Sequence, residues 1–168
     1  EAGDRQVREI MVPRTEVEFF DAAWSLTKAT RTAHDSPHSR FPVVRGSQDD
    51  VIGFIHVRDL FRPPTGQRRG VKVGDLVREV PMVPSTKRVL AAMSEMRRSG
   101  DHLAVVVDEY GGTAGIVTLE DLIEELVGDI RDEYDADEDE ARQLRGGDIE
   151  VDGLMNLDDF ADAVGTSL

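Results

Sequence analysis

Apolar and polar positions alternate between two rhythms along the chain, and the rhythm changes in the same order twice. "VREIMV" (Val7 to Val12) opens a first unit, and "DAAWSLTKATRTAHDS" repeats its apolar positions every three or four residues, as an amphipathic helix with Trp24 on its apolar side does. The runs "RFPVVR" and "VIGFIHV" are short, β-branched and bounded by turn residues, which predicts strands, and "VRDLF" predicts a short closing helix. "RPPTGQRRG" carries no period and reads as a linker. A second unit then follows: "VKVGDLV", the helix "TKRVLAAMSEMRRSG" with Gly100 as its stop, two strands in "HLAVVVDEYGGTAGIVTLED" joined at a Gly-Gly turn, and the helix "LEDLIEELVGDI".

Superposed, Phe41 to Val44 meets Ala104 to Val107, Gly53 meets Gly115, and Asp59-Leu60 meets Asp121-Leu122. The expected fold class is therefore α/β (α+β): strand, helix, strand, strand, helix, written twice, with the halves burying their apolar sheet faces about a pseudo-two-fold axis. The expected boundaries are a first repeat over 5–62, a linker over 63–70, a second repeat over 71–131, an acidic linker over 132–144 and a further segment over 145–168.

At 168 residues and 39% hydrophobic content the chain has apolar material for one compact domain or two small repeats sharing a core. No apolar run approaches the roughly 20 residues that cross a bilayer, and no charged-then-apolar leader opens the chain, so a soluble piece is expected. The chain begins at Glu1 and reads as excised from something longer. Cysteine is absent, which removes disulfides, thiolate metal sites and a cysteine nucleophile, and suits a reducing compartment. A net charge of −14 argues against nucleic acid as partner, since phosphate backbones are held by clustered Lys and Arg. About half of that charge sits in "DIRDEYDADEDE", Asp129 to Glu140, which reads as a solvated linker, with a weak Mg²⁺ or Ca²⁺ surface as the sharper alternative.

The strand-to-helix junctions "GFIHVRD" and "GIVTLED" differ chiefly at one place, His56 against Thr118. Thr118 followed three residues later by Asp121 is the spacing of a helix cap, in which side chains satisfy unpaired backbone N–H groups. The same residues can serve a ligand. A helix N-terminus offers N–H groups and positive dipole to an anion, the Thr hydroxyl adds a donor, and a carboxylate accepts from paired sugar hydroxyls. A ribose phosphate supplies both partners. The histidines at 34 and 38 are four apart, but Pro37 interrupts any helix between them and no third ligand is near, so a metal site is not expected. No elbow or oxyanion loop accompanies Ser36, Ser39 or Asp35, and no enzyme chemistry is expected.

The repeat, with "IMVPR", "HSRFPVV" and "VVVDEYGGTAGIVTLEDLIEELVGDI", resembles a pair of cystathionine-β-synthase (CBS) domains, more closely the pair of the CorC/HlyC and CNNM family of magnesium and cobalt efflux proteins. The tail "GDIEVDGLMNLDDFADAVG" resembles the truncated start of that family's C-terminal transporter-associated domain. The resemblance implies a regulatory module at the cytoplasmic face of the cell membrane, beneath a transmembrane transporter module that this stretch lacks. It implies binding of ATP (or ADP or AMP) with Mg²⁺ in the cleft between the repeats, and a homodimer. The helices around Trp24, Leu90 and Leu122 carry apolar stripes too wide for so short a chain to cover, and these exposed stripes are expected to form the dimer contact. Carried over by position, Thr118 contacts phosphate and Asp121 the ribose; Ser39, Arg40 and Pro42 line the same cleft with Arg40 near the phosphates; Val12 and Val17 border the adenine, and His102 faces the site. Family members often have Thr at Val12 and an aromatic at His38, so here one polar contact is missing and the adenine platform is weaker. With His56 in place of a hydroxyl, the first junction keeps Asp59 as a ribose acceptor but loses the phosphate donor, which predicts one occupied site per chain. The alternative is a structural dimerisation module, or the nucleotide-sensing module of a soluble enzyme, in which Thr118 and Asp121 only cap a helix.

Overall fold

Each rhythm in the sequence becomes an element, though not always with the expected bounds. The computed structural model describes residues 4–61 and 70–145, with side chains as far as Asp132. In chain order these form β1 (Val12–Pro13), β2 (Phe20–Asp21), α1 (Leu26–His34), β3 (Arg40–Arg45), β4 (Ser47–His56), β5 (Met82–Pro84), α2 (Val89–Ser99), β6 (Leu103–Val107), β7 (Thr113–Thr118) and α3 (Leu119–Arg145). Strand, helix, strand, strand thus occurs twice, as expected. The leading strand of each series is not "VREIMV" or "VKVGDLV", however. Those stretches form 3-10 turns at Val7–Glu9 and Val73–Leu76, and the leading strands are β2 and β5, which pair in parallel with β3 and β6.

Two further bounds differ. "VRDLF" is a single 3-10 turn, Val57–Leu60, because His56 and Asp59 satisfy its free amides at once and Phe61 closes it on the Arg58 carbonyl at 3.2 Å. At the other end, α3 stays helical to Arg145 through the tract read as an acidic linker. Asp132, Asp135, Asp137 and Asp139 are weak helix formers and favour a linker, but the Glu, Ala, Gln, Arg and Leu interspersed with them are good ones and suit the helix that continues. The segment expected over 146–168, and the linker over 63–69, lie outside the described residues. By contrast α2 stops as read, with Gly100 at φ +75° in the left-handed conformation that ends helices.

Contacts gather the described residues into two units. One comprises residues 4–10, 86–102 and 118–145. In it α2 packs on α3, burying Val89, Ala92, Met93 and Met96 from one helix and Leu119, Leu122 and Leu126 from the other. Spacings of three and four place each set on one face. The leading segment is stitched to the start of α2 by Val7 N–H to Lys87 O (2.8 Å) and Val89 N–H to Arg5 O (2.8 Å), and an Arg5–Glu125 ion pair joins it to α3.

The other unit comprises residues 11–61, 70–85 and 103–117. It holds a sheet of order β1-β7-β6-β5 and a sheet of order β2-β3-β4. The second sheet is covered by α1, with Phe20, Leu26, Ala29, Phe41, Ile55 and Leu60 in its core and Phe20 stacked on Phe41 at 4.3 Å. Val44 and Val51 pack with Val105 in a smaller cluster. Arg14 braces the turns: its guanidinium donates to Asp49 (2.7 Å) and to the Thr113 carbonyl (3.1 Å), while Asp49 also accepts from the Thr113 amide at 3.0 Å. No helix among the described residues is long and apolar enough to cross a membrane.

Candidate functional site

The nine residues singled out in the sequence fall into two groups. Thr118, Asp121 and His102 belong to the first unit. There β7 runs directly into α3, and the Thr118 hydroxyl oxygen accepts from the Asp121 amide at 3.1 Å. The cap reading is therefore correct as far as it goes, but it uses only a lone pair of the hydroxyl; the O–H remains a donor. Nor does the cap use the Asp121 carboxylate. That side chain is exposed, and among the described residues no hydrogen bond or ion pair engages it. His102 lies at the same junction: its carbonyl accepts from the Leu119 amide at 3.0 Å, and its Nδ1 is 2.8 Å from Glu120 Oε1. One unit thus presents, at the positive end of a long helix, a hydroxyl with a proton to donate and a carboxylate that the cap does not use.

Val12, Val17, His38, Ser39, Arg40 and Pro42 belong to the second unit. Val12 lies on β1 opposite Ile116 of β7, and Val17 follows the 3-10 turn Arg14–Glu16. Pro42 is buried in β3, Arg40 begins that strand half-exposed, and Ser39 is exposed with its carbonyl holding the Val57 amide at 2.7 Å. Glu18 connects the Val17 and His38 segments: it accepts from Ser36 Oγ at 2.5 Å and stands 3.8 Å from His38 Nε2. His34 ends α1 and His38 lies beyond it, so the two do not share a helix.

The first junction departs from expectation. Asp59 is not a free ribose acceptor, because Arg78 holds it with two hydrogen bonds, Nε to Oδ2 at 2.8 Å and Nη2 to Oδ1 at 2.5 Å. Asp59 also accepts from the His56 amide at 3.2 Å. Burial would raise the Asp59 carboxyl, but these hydrogen bonds and the Arg78 charge outweigh it and hold the group below the usual carboxylate range. His56 Nδ1 accepts from the Arg58 amide at 3.1 Å, so its ring caps the turn in neutral form. Burial and the charges of Arg58 and Arg40 push the imidazole below its ordinary value. Arg78 lies 19 residues from Asp59, beyond the linker, and no local pattern in the sequence marks it as a partner. The only signal was its position, since it aligns with Val12 of the other repeat.

A model of the CBS domain matches residues 7–64 and 73–128. The chain belongs to the CBS domain family, as a pair. The CBS pair is 36% identical, over 167 residues, to the magnesium and cobalt efflux protein CorC of Vibrio cholerae serotype O1, covering 99% of this chain and 57% of that protein. It therefore spans little more than half of that relative's length. Among solved structures it is similar to the CBS domain of the bacterial CNNM/CorC family Mg²⁺ transporter in complex with ATP, at 37% identity and a TM-score of 0.72, covering 76% of this chain and 91% of that one. It is also similar to a CBS-domain pair from Klebsiella pneumoniae with bound AMP, at 34% identity and a TM-score of 0.65, covering 73% of this chain and 98% of that one.

Proposed function

We propose that this CBS pair is a non-enzymatic regulatory module that binds an adenine nucleotide, ATP with Mg²⁺ in the favoured case, and passes its occupancy to a magnesium or cobalt transporter at the cytoplasmic face of the membrane. The observation that carries the reading is the β7–α3 junction, where Thr118 keeps a hydroxyl proton to donate and Asp121 keeps an unengaged carboxylate. The ATP and AMP held by the two solved relatives support the ligand class. In this reading the Thr118 hydroxyl, at the positive end of the α3 dipole, takes phosphate, Asp121 takes the ribose hydroxyls, and Arg40 supplies positive charge. Val12, Val17, His38, Ser39, Pro42 and His102 complete the contacts, as the family resemblance implies. Calorimetric titration with ATP, ADP and AMP, with and without Mg²⁺, tests it, and heat from none of them would overturn it.

We also infer that the module acts as a homodimer. Leu122, expected in an exposed stripe, is fully buried, and Trp24 packs on the core, so the surface differs from the one read in the sequence. Supporting residues are Leu90 on α2, 49% exposed, and Phe61, 62% exposed beside a groove of about 560 Å³ lined by Thr27, Arg31, Ala33, His34 and Val57. Exposed apolar surface of this kind commonly pairs by two-fold symmetry. Light scattering at tens of micromolar is expected to give twice the chain mass; the mass of a single chain would refute the dimer.

A further inference from the structure

The two junctions share one backbone construction. In the second, β1 meets β7 with Val12 opposite Ile116 and Pro13 opposite Gly115. In the first, Arg78 bridges Phe54, the residue that aligns with Ile116, and the two exchange amide hydrogen bonds at 2.8 and 2.9 Å. The aligned glycines repeat the match: a Cβ on Gly53 would run into the Arg78 carbonyl, and a Cβ on Gly115 into that of Val12. Arg78 therefore stands at the first junction where Val12 stands at the second, and only the side chains differ. Val12 ends in two methyl groups. Arg78 carries a guanidinium fork, and it delivers that fork to both oxygens of Asp59.

A ribose 2′,3′-diol binds a carboxylate by presenting two neighbouring O–H donors. A guanidinium presents two neighbouring N–H donors to the same pair of oxygens. We propose that the Asp59 junction is a second nucleoside site, specific for an intact ribose diol, that Arg78 keeps closed by standing in for the sugar. Arg78 thereby limits the chain to one bound nucleotide. This rests on the reading of Asp121 as a ribose acceptor, since Asp59 is its counterpart. It also reassigns the cause of single occupancy: His56 still caps its turn through Nδ1, so the exchange of Thr for His leaves the junction built, and the lock is the arginine.

The test is equilibrium dialysis of the full chain with adenosine, which is neutral and so insensitive to loss of an arginine charge at long range. R78V, which places at this junction the residue found at its counterpart, is expected to gain one adenosine equivalent per chain. D59N added to R78V should remove that equivalent, whereas D121N added to R78V should leave it. 2′-Deoxyadenosine should bind the opened site at least tenfold more weakly. R78V binding no more adenosine than the unmodified chain, or a gain that survives D59N, overturns the proposal. Because the backbone bridge to Phe54 does not involve the side chain, R78V should fold; R78Q, which also removes the fork, gives the same readout if it does not. Absence of ATP binding in the unmodified chain would defeat the proposed function alone, because the Asp59-dependent gain is measured without reference to it.

Discussion

Thr118 and Asp121 are joined by a hydrogen bond of 3.1 Å that runs from the aspartate amide to the threonine oxygen, leaving the carboxylate out of the cap. Backbone and side chain of Asp121 therefore do separate work. The first expected outcome follows from this separation. Asp121→Asn should weaken ATP binding roughly 10- to 100-fold, as loss of charge-assisted bonds worth about 1.5–3 kcal/mol implies. Its melting temperature should stay within a degree or two of the unmodified chain, because the amide that caps against Thr118 is untouched. Thr118→Ala should lower both, with the stability loss about 1 kcal/mol. A fall in melting temperature without a change in ATP affinity in Asp121→Asn would return the junction to a purely structural role.

Mg²⁺ should tighten ATP binding. A chain of net charge −14 repels a tri- or tetra-anion at long range, and Arg40 and the positive end of the α3 dipole are modest compensation. The comparison is ATP affinity in EDTA and in excess Mg²⁺, and equal values would contradict the expectation.

Gly53 and Gly115 should be intolerant of a methyl group. Both are buried, and in each the added Cβ meets a carbonyl of the paired segment, a rigid neighbour that cannot swing aside. Gly53→Ala and Gly115→Ala are each expected to cost about 1–3 kcal/mol in urea unfolding, the usual range for overpacking. Gly46→Ala is a useful contrast, since nothing lies within 4 Å and its cost should come only from its φ of +84°.

Stability should fall with acid in two steps. His56 is held neutral in the fold, so the unfolded chain binds its proton first and stability declines as pH drops below about 6.5. Asp21, Asp49 and Asp59 are held below the usual carboxylate range, Asp21 by the Ala23 and Gly46 amides and Asp49 by the Thr113 amide and Arg14. Their contribution is fully present above about pH 4 and is lost as pH falls through their lowered values. Melting curves against pH should show the upper step disappear in His56→Gln and the lower step shrink in Asp49→Asn. An unchanged pH profile in His56→Gln would show that the ring does not need to be neutral.

Much of this was legible in the chain because repetition doubles every local signal. The glycines, the strand pair and the Thr-to-Asp spacing each occur in register with a counterpart, and α2 carries its own stop at Gly100. What escaped were facts settled by distant partners. Asp59 and Asp121 sit in nearly identical words, and it is the arrival of Arg78 that engages one carboxylate and not the other. Leu122 looked like part of an exposed stripe because helical periodicity gives the face but not what covers it; α2 does. The sequence predicts a helix at Val57–Leu60, where one 3-10 turn forms, because an apolar and capping pattern marks where a turn begins and says little about how long it lasts.

The Arg14 brace bears on how such a chain assembles during synthesis. Its two anchors are separated from it by 35 residues at Asp49 and 99 residues at Thr113, and β1 finds its strand partner only in β7. A ribosome that has released the first repeat has therefore delivered a segment whose opening strand lacks its edge and whose Val44 and Val51 still lack Val105. The sequence is written in repeats. The cooperative unit is interleaved, so the nascent chain completes it only after the DEYGGT turn has emerged, and a break in the gene between repeats would divide one folding event rather than separate two.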